Sequence, residues 1–285
     1  MEKIHLSELS TFGIGGPAKA FKRAETIEEM QSFLKACHEN KTPFLIVGKG
    51  SNTLFDKRGF NGLVIHNKIG FLKNLEPGVW HVGAGYSFAL LGTKTAQAGY
   101  TGLEFASGIP ASVGGAVFMN AGANGMETEA ALESVDFVDE TGELNKLHRK
   151  DLEFRYRYSQ FHKMKGAIVG ATFRLKSCES ARKKQIEIIR YRTQTQPYGE
   201  KSAGCIFRNP EGVSAGRLIE EAGLKGTSLG GAKVSEKHAN FIVNDKEATT
   251  EEVLELIEKV KQRVYETHKV NLESEVRIIP YDPVC

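Results

Sequence analysis

Two glycine-rich stretches and three isolated polar residues carry the chemical promise of this sequence. Gly48-Lys-Gly50-Ser-Asn52 follows a short apolar run, and Gly108-Ile-Pro-Ala-Ser-Val-Gly-Gly115 leads into Asn120-Ala-Gly122. Glycines at this density let backbone N–H groups come close to an anion, and successive N–H groups in a turn form a concave nest for phosphate. Two such loops in one α/β region point to a pyrophosphate, although structural glycine accounts for either loop taken alone. Arg157 lies in Arg155-Tyr-Arg-Tyr-Ser159, Cys205 in Ala203-Gly-Cys-Ile-Phe-Arg-Asn-Pro210 and Glu275 in Leu272-Glu-Ser-Glu-Val-Arg277. They offer a fixed cation, a thiol and a carboxyl group. Taken singly, each reads first as structure: a surface arginine, a buried thiol, a strand-end carboxylate.

Several chemistries are excluded by spacing. A Rossmann fingerprint needs a third glycine and an immediate helix, and position 53 is Thr53, followed by a segment with no helical face. No Gly-Lys-Ser/Thr closes a phosphate loop of the Walker type. The eight histidines form no His-x-His or HExxH pattern, the four cysteines form no CxxC pair, and no metal is expected. A GxSxG elbow is also absent.

The elements that must position these residues follow from periodicity and caps. Thr26-Ile-Glu-Glu29 is a capping box, and Ile27, Met30, Phe33, Leu34 and Cys37 follow at helical spacing, which predicts a helix over 26–40. Phe44-Leu-Ile-Val47 reads as a buried strand, with further strands at 63–65, 79–82, 135–138 and 167–175 and a helix over 87–99. The stretch 102–125 shows no regular period and reads as a binding loop. A basic helix over 180–192, a helix over 215–222, a strand over 240–243, a long helix after Thr249-Thr-Glu-Glu252 and a strand over 275–279 complete the chain. The fold expected is α+β (mixed α/β), with 285 residues divided at 1–66, 67–177 and 178–285. Thirty-eight Lys and Arg against 35 Asp and Glu leave a net charge of +3, which gives no nucleic-acid footprint. The polar N-terminal stretch and the lack of a long apolar run favour a cytoplasmic protein with no membrane partner, and the cysteines, Cys37, Cys178, Cys205 and Cys285, read as thiols.

In chain order, Leu9-Ser-Thr-Phe-Gly-Ile-Gly-Gly-Pro-Ala18, the 48–55 loop, the 108–125 stretch, Tyr156-Arg-Tyr-Ser159, Ser202-Ala-Gly-Cys-Ile-Phe-Arg-Asn-Pro210, Ala215-Gly-Arg-Leu-Ile-Glu-Glu-Ala-Gly-Leu-Lys-Gly226, Val234-Ser-Glu-Lys-His-Ala-Asn-Phe-Ile-Val243 and Glu275-Val-Arg277 resemble the UDP-N-acetylenolpyruvoylglucosamine reductase family. The resemblance spans nearly the whole chain and matches the shorter class of that family. It implies a two-part FAD-binding region of the vanillyl-alcohol-oxidase type and a separate α+β substrate domain. It also implies an NADPH-dependent reduction of the enolpyruvyl ether of UDP-N-acetylglucosamine to a lactyl ether, in a monomer with a small-molecule substrate.

The same resemblance assigns residues. Val47, Gly48, Lys49, Gly50, Ser51, Asn52 and Thr53, with Gly108, Ile109, Pro110, Ser112, Val113, Gly114, Gly115, Ala121 and Gly122, would hold FAD, and Arg192 and Arg277 would lie near it. Tyr156, Arg208 and Asn209 would meet the UDP-sugar, with Tyr198 as an aromatic cover. Arg157, Cys205 and Glu275 would be catalytic. The sequence departs from the commoner pattern at Cys205, where relatives carry serine, and at Thr195, where longer relatives carry a lysine facing the nucleotide phosphates. No histidine lies in either flavin loop, which disfavours a covalent flavin oxidase; His66 and His81 are the nearest.

Overall fold

The computed structural model describes residues 4–282, so Cys285 and the first three residues of the N-terminal stretch lie outside the described residues. Packing divides the chain into two units. One takes in the chain up to Ala20, Gly50–Gly62 and everything from Thr193 onward; the other is Phe21–Lys49 with Leu63–Arg192. These lines differ from the three consecutive segments expected, for two physical reasons. Thr53–Phe55 joins the C-terminal part because it pairs in parallel with Arg277–Ile279. The basic helix Ala181–Thr195 stays largely with the other unit, because its Ile188 packs on that unit's core.

In the unit containing the glycine-rich stretch, helix α1 (Ile27–Glu39) starts at the expected capping box, with Glu29 N–H on Thr26 Oγ1 at 3.2 Å and Thr26 N–H on Glu29 Oε2 at 3.3 Å. It buries Met30, Leu34 and Cys37. The strand Phe44–Val47 pairs in parallel with Phe60–Asn67, Val47 opposite His66. A five-stranded antiparallel sheet runs in the order Leu144–His148, Leu132–Asp139, Gly166–Arg174, Val79–Gly83, Leu72–Glu76. Val138, Ala167 and Val169 from this sheet share a core with Met30 and Leu34 of α1, while Val135, Ala171 and Phe173 join a second core with helices α2 (Phe88–Gln97) and α3 (Val113–Phe118). Helix α3 lies inside the stretch expected to be irregular. Its glycines hide the period, yet Val113, Ala116 and Val117 are buried along one side.

The other unit has a four-stranded antiparallel sheet in the order Ser202–Cys205, Phe241–Asn244, Ala232–Val234, Ser228–Leu229. The basic helix being α4, the two helices of this unit are α5 (Ala215–Glu221) and α6 (Thr250–His268). Leu218, Ile219, Val253, Leu256, Ile257 and Val260 from them share one core with Phe12, Leu54, Val234 and Ile242. Two expected strands start later than the sequence suggests: the backbone ladder begins at Phe241 rather than Asn240, and at Arg277 rather than Glu275.

Helix α6 opens on a second capping box. Thr249 Oγ1 accepts from Glu252 N–H at 3.2 Å, and Glu252 Oε2 accepts from Thr249 N–H at 2.9 Å and from Gly231 N–H at 3.2 Å. Thr249→Ala removes the cap and is expected to cost about 1 kcal/mol, read as a lower urea midpoint at unchanged slope. An unchanged midpoint would show that the cap contributes nothing here.

Candidate active site

The first glycine loop and the glycine-rich stretch meet at a contact that only glycine permits. A Cβ on Gly48 would lie 2.2 Å from Ser112 Oγ, the same oxygen that caps α3 by accepting Gly115 N–H at 3.3 Å. Lys49 Nζ donates to Ser87 Oγ at 3.3 Å, and Ser87 in turn caps α2 through Leu90 N–H at 3.4 Å. Phe88 N–H donates to Ala111 O at 3.0 Å, tying the start of α2 to the approach to α3. A lysine and the positive end of the ten-residue helix α2 are thereby brought together.

Gly114 serves a different purpose from the one its motif suggests. Its N–H donates to Ala84 O at 2.8 Å, so that donor is committed, and an added Cβ would lie 2.9 Å from Ala84 Cβ. Its smallness lets α3 pack on Ala84. At Gly108 a Cβ would lie 2.3 Å from Arg192 Cδ, so the guanidinium stem lies across the glycine. Arg192 Nε is buried and has no hydrogen-bond partner among the described residues. A buried donor left open in the protein calls for an external acceptor. Together with Lys49 and the α2 N-terminus, it fits the anionic FAD that the resemblance implies.

Arg157 occupies a strained position. Phe154–Arg155 and Tyr158–Ser159 form a hairpin in which Tyr156 and Arg157 are the turn, and Arg157 has φ +55°, the left-handed region that favours glycine. Its Nη2 donates to Gly122 O at 2.9 Å and its guanidinium stands 4.8 Å from the Tyr156 ring centre. Buried Asn120 anchors the hairpin, donating from Nδ2 to Arg155 O at 3.1 Å and to Glu127 Oε2 at 2.9 Å, while its Oδ1 accepts Glu129 N–H at 3.1 Å. Ser159 Oγ donates to Phe118 O at 2.5 Å from the other side. The turn is therefore held from both ends, and an arginine is kept where a glycine would cost less.

In the other unit, the segment carrying Cys205 is paired with the segment carrying Glu275. Cys205 ends its strand opposite Phe241, after a register shift at which Gly204 takes φ +75°. Glu275 N–H donates to Ile206 O at 2.7 Å, and Arg208 N–H donates to Glu273 O at 2.9 Å. Asn52 joins them, donating from Nδ2 to Glu275 O at 3.3 Å and accepting Arg277 N–H on its own carbonyl at 3.0 Å. This unit therefore gathers Asn52, Cys205, Arg208, Glu275 and Arg277. Gly50, at φ +56°, passes so close to Leu9 that a Cβ would lie 2.1 Å from Leu9 O. Asn209 Oδ1 accepts Ala215 N–H at 3.0 Å at the start of α5, so this oxygen is engaged in folding. Tyr156 and Tyr198 are both exposed.

Sequence reasoning named Asn120 in the glycine-rich stretch, position 87 as a helix start and His66 as a histidine outside the flavin loops, but gave none of them a partner. For the first two the signals were an Asn-Ala-Gly turn and a helix cap. His66 carried none, since a parallel pairing brings it beside the first loop, where its ring meets the Gly48 backbone. Burial first, then the charges of Lys68 and Arg23, push its pKa from 6.5 down to about 4. The folded protein holds His66 neutral in a window where the unfolded chain binds a proton, so stability is full above about pH 6.5 and falls as pH drops toward 4. His66→Phe is expected to flatten this acid-side fall, read from urea midpoints at neutral pH and at the bottom of that window. Parallel profiles for the two proteins would show that the folded state accepts the charge.

Among known proteins, the profile of the UDP-N-acetylenolpyruvoylglucosamine reductase C-terminal domain matches residues 196–279, and that of an FAD binding domain matches residues 18–148. The UDP-N-acetylenolpyruvoylglucosamine reductase of Protochlamydia amoebophila (strain UWE25) is 59% identical over 277 residues, covering 97% of this chain and 93% of the relative. That of Chlamydia pneumoniae is 48% identical over 280 residues, covering 98% and 92%. The crystal structure of UDP-N-acetylenolpyruvylglucosamine reductase from Thermus caldophilus has a TM-score of 0.84 at 37% identity and covers 98% of both chains. Identity along the whole length, with the matches to an FAD binding domain and to the reductase C-terminal domain, places this chain in the UDP-N-acetylenolpyruvoylglucosamine reductase family.

Proposed function

We propose that this protein reduces UDP-N-acetylglucosamine enolpyruvate to UDP-N-acetylmuramate, with NADPH as the source of hydride. As a family member it is an FAD-dependent oxidoreductase of peptidoglycan precursor synthesis that acts on a small molecule. FAD, when bound, would supply the hydride chemistry that links NADPH to C3 of the enolpyruvyl group. The residues that would hold it are those around Gly48, Lys49, Ser87, Ser112 and Arg192.

The observation that carries the reading is the pairing of the 205–208 segment with Glu273 and Glu275, which fixes a thiol and a carboxyl group on adjoining backbone. Hydride addition at C3 leaves negative charge on C2 and the neighbouring carboxylate of the substrate. Arg157 suits that charge, because a guanidinium is always ionised and its planar donors match a carboxylate. Cys205 would then protonate C2, with Glu275 assisting as acid or hydrogen-bonding partner, while Arg208 and Tyr156 meet the UDP-sugar. Arg277 would lie near the cofactor. Tyr198, which is exposed, would cover the substrate. The enzyme is read as cytoplasmic and monomeric; no helix among the described residues is long and apolar enough to cross a membrane, and a net charge of only +3 gives no footprint for a nucleic-acid partner.

Arg157→Lys keeps the charge but loses the fork, and is expected to retain flavin while turnover falls by about 10²–10³. Turnover near that of the unaltered protein would remove Arg157 from the chemistry. For Cys205 the neutral thiol is the active form, so substrate-driven reoxidation of the reduced protein should slow as pH rises through the thiol's ionisation, about 8.5 for a free cysteine. Cys205→Ser is expected to lose that alkaline limb. Cys205→Ala should still bleach with NADPH yet fail to be reoxidised by substrate without oxygen, and rapid reoxidation in stopped-flow absorbance would place the proton donor elsewhere.

A further inference from the structure

The backbone ladder that holds the Cys205 strand stops at the Cys205 and Phe241 pair, but the chain beyond it remains buried. Ile206 and Phe207 are 0% and 2% exposed, and their N–H and C=O groups still need partners. Ile206 N–H donates to the Asn240 carbonyl at 2.8 Å. Phe207 is served by a side chain. Its N–H donates to Asn240 Oδ1 at 2.9 Å, and Asn240 Nδ2 donates back to Phe207 O at 2.8 Å. Asn240 is itself 3% exposed. Its carboxamide thus behaves as one more peptide group, extending the pairing past the point where the Phe241–Asn244 backbone has ended.

The other flank of the same segment carries Glu275. Ile206 O accepts Glu275 N–H at 2.7 Å, and Arg208 N–H reaches Glu273 O at 2.9 Å. Residues 206–208 are therefore a narrow ribbon clasped between Asn240 on one side and residues 273–275 on the other. We infer that Asn240 is a positioning residue for the reaction, whose two-point clasp on Phe207 fixes the register between Cys205 and Glu275. Loss of the clasp frees two buried backbone groups next to Cys205 and lets the ribbon slide or tilt. This rests on Cys205 being the proton donor.

Asn240→Asp tests the clasp because its chemistry can be switched. An ionised carboxylate still accepts Phe207 N–H but confronts Phe207 O with a second acceptor. A protonated carboxyl group has one acceptor and one donor and restores both bonds. Substrate-driven reoxidation, measured by anaerobic stopped flow, is expected to be slower by about tenfold or more at mildly alkaline pH, because small misplacements of a reacting group are costly. It should recover toward the unaltered rate as pH falls. His238, whose Nδ1 accepts Asn240 N–H at 3.3 Å, and Cys205 and Glu275 on the adjoining segments also titrate, so each rate is divided by that of the unaltered protein at the same pH. Flavin content and bleaching by NADPH report whether the folded flavoprotein survives.

A ratio near one at all pH values, or a ratio low and flat with pH in protein that retains flavin, overturns the clasp as the positioning device. Should Asn240→Asp fail to hold flavin, Asn240→Gln, with the same amide one methylene further out, is expected to be slow at every pH, and normal rates in it are equally fatal. Cys205→Ala separates the two readings. Rapid reoxidation in that variant refutes Cys205 as donor whatever Asn240 does, whereas slow reoxidation there with an unperturbed Asn240→Asp refutes the clasp alone. In the double variant the acid-side recovery should vanish.

Discussion

Where a buried strand ends, its backbone donors and acceptors still have to be paired, and in this protein the residues assigned to chemistry sit where that demand is met by something other than a regular ladder. An unpaired buried backbone group costs about 1–3 kcal/mol, enough to move a segment that has any freedom to move. The 205–208 segment satisfies it through the Asn240 side chain and through Glu273 and Glu275. The glycine-rich stretch satisfies it through Gly114 N–H on Ala84 O and Ala121 N–H on Ala116 O, both at 2.8 Å, with Thr128 N–H and Oγ1 on Ala121 O at 3.0 and 2.7 Å. Irregular backbone held in this way is as fixed as a strand, and can aim side chains in directions a strand does not offer.

Much of the fold was legible because it obeys local rules. Both capping boxes, the apolar run at Phe44–Val47 and the amphipathic face of α1 are short-range signals, and the structure places elements within a residue or two of where they point. What was not legible has two causes, long-range pairing and an element too short to show a period. Nothing near Thr53 announces that it pairs with Arg277, and that pairing is what attaches Gly50–Gly62 to the C-terminal part of the chain. Helix α3 was hidden because a helix of six residues with two glycines has too few side chains to show a period. The resemblance supplied the candidate residues, but not their partners. Gly114 shows the difference: its motif suggests an anion donor, while its geometry shows a donor already spent and a glycine required by packing.

The backbone at Arg157 adds an observation that its motif does not carry. A non-glycine residue at φ +55° in a two-residue turn costs on the order of 1–3 kcal/mol and persists only if its surroundings over-determine it. They do. Asn120 holds Arg155, Ser159 holds Phe118, and Gly122 O receives the guanidinium. Asn120 is itself at φ +43°, so the glycine-rich stretch and the hairpin are each strained where they meet. Lys41, Glu247 and Lys269 take similar φ values, so the backbone angle alone does not single out Arg157; what does is a turn held from both ends around a guanidinium.

Electrostatics around the first loop follow the same local logic. The net charge of +3 is too small to organise anything across the molecule, so the proposed cofactor contacts, Lys49, Arg192 and the start of α2, would have to act locally. His66 lies beside this loop, and burial first, then the neighbouring Lys68 and Arg23, keep its imidazole neutral, even though the Gly48 backbone contact favours the charged form. A neutral ring at this point can still hydrogen-bond the Gly48 backbone, so it supports the first loop without adding a half-buried charge between the two cations, Lys68 and Arg23, that would oppose it.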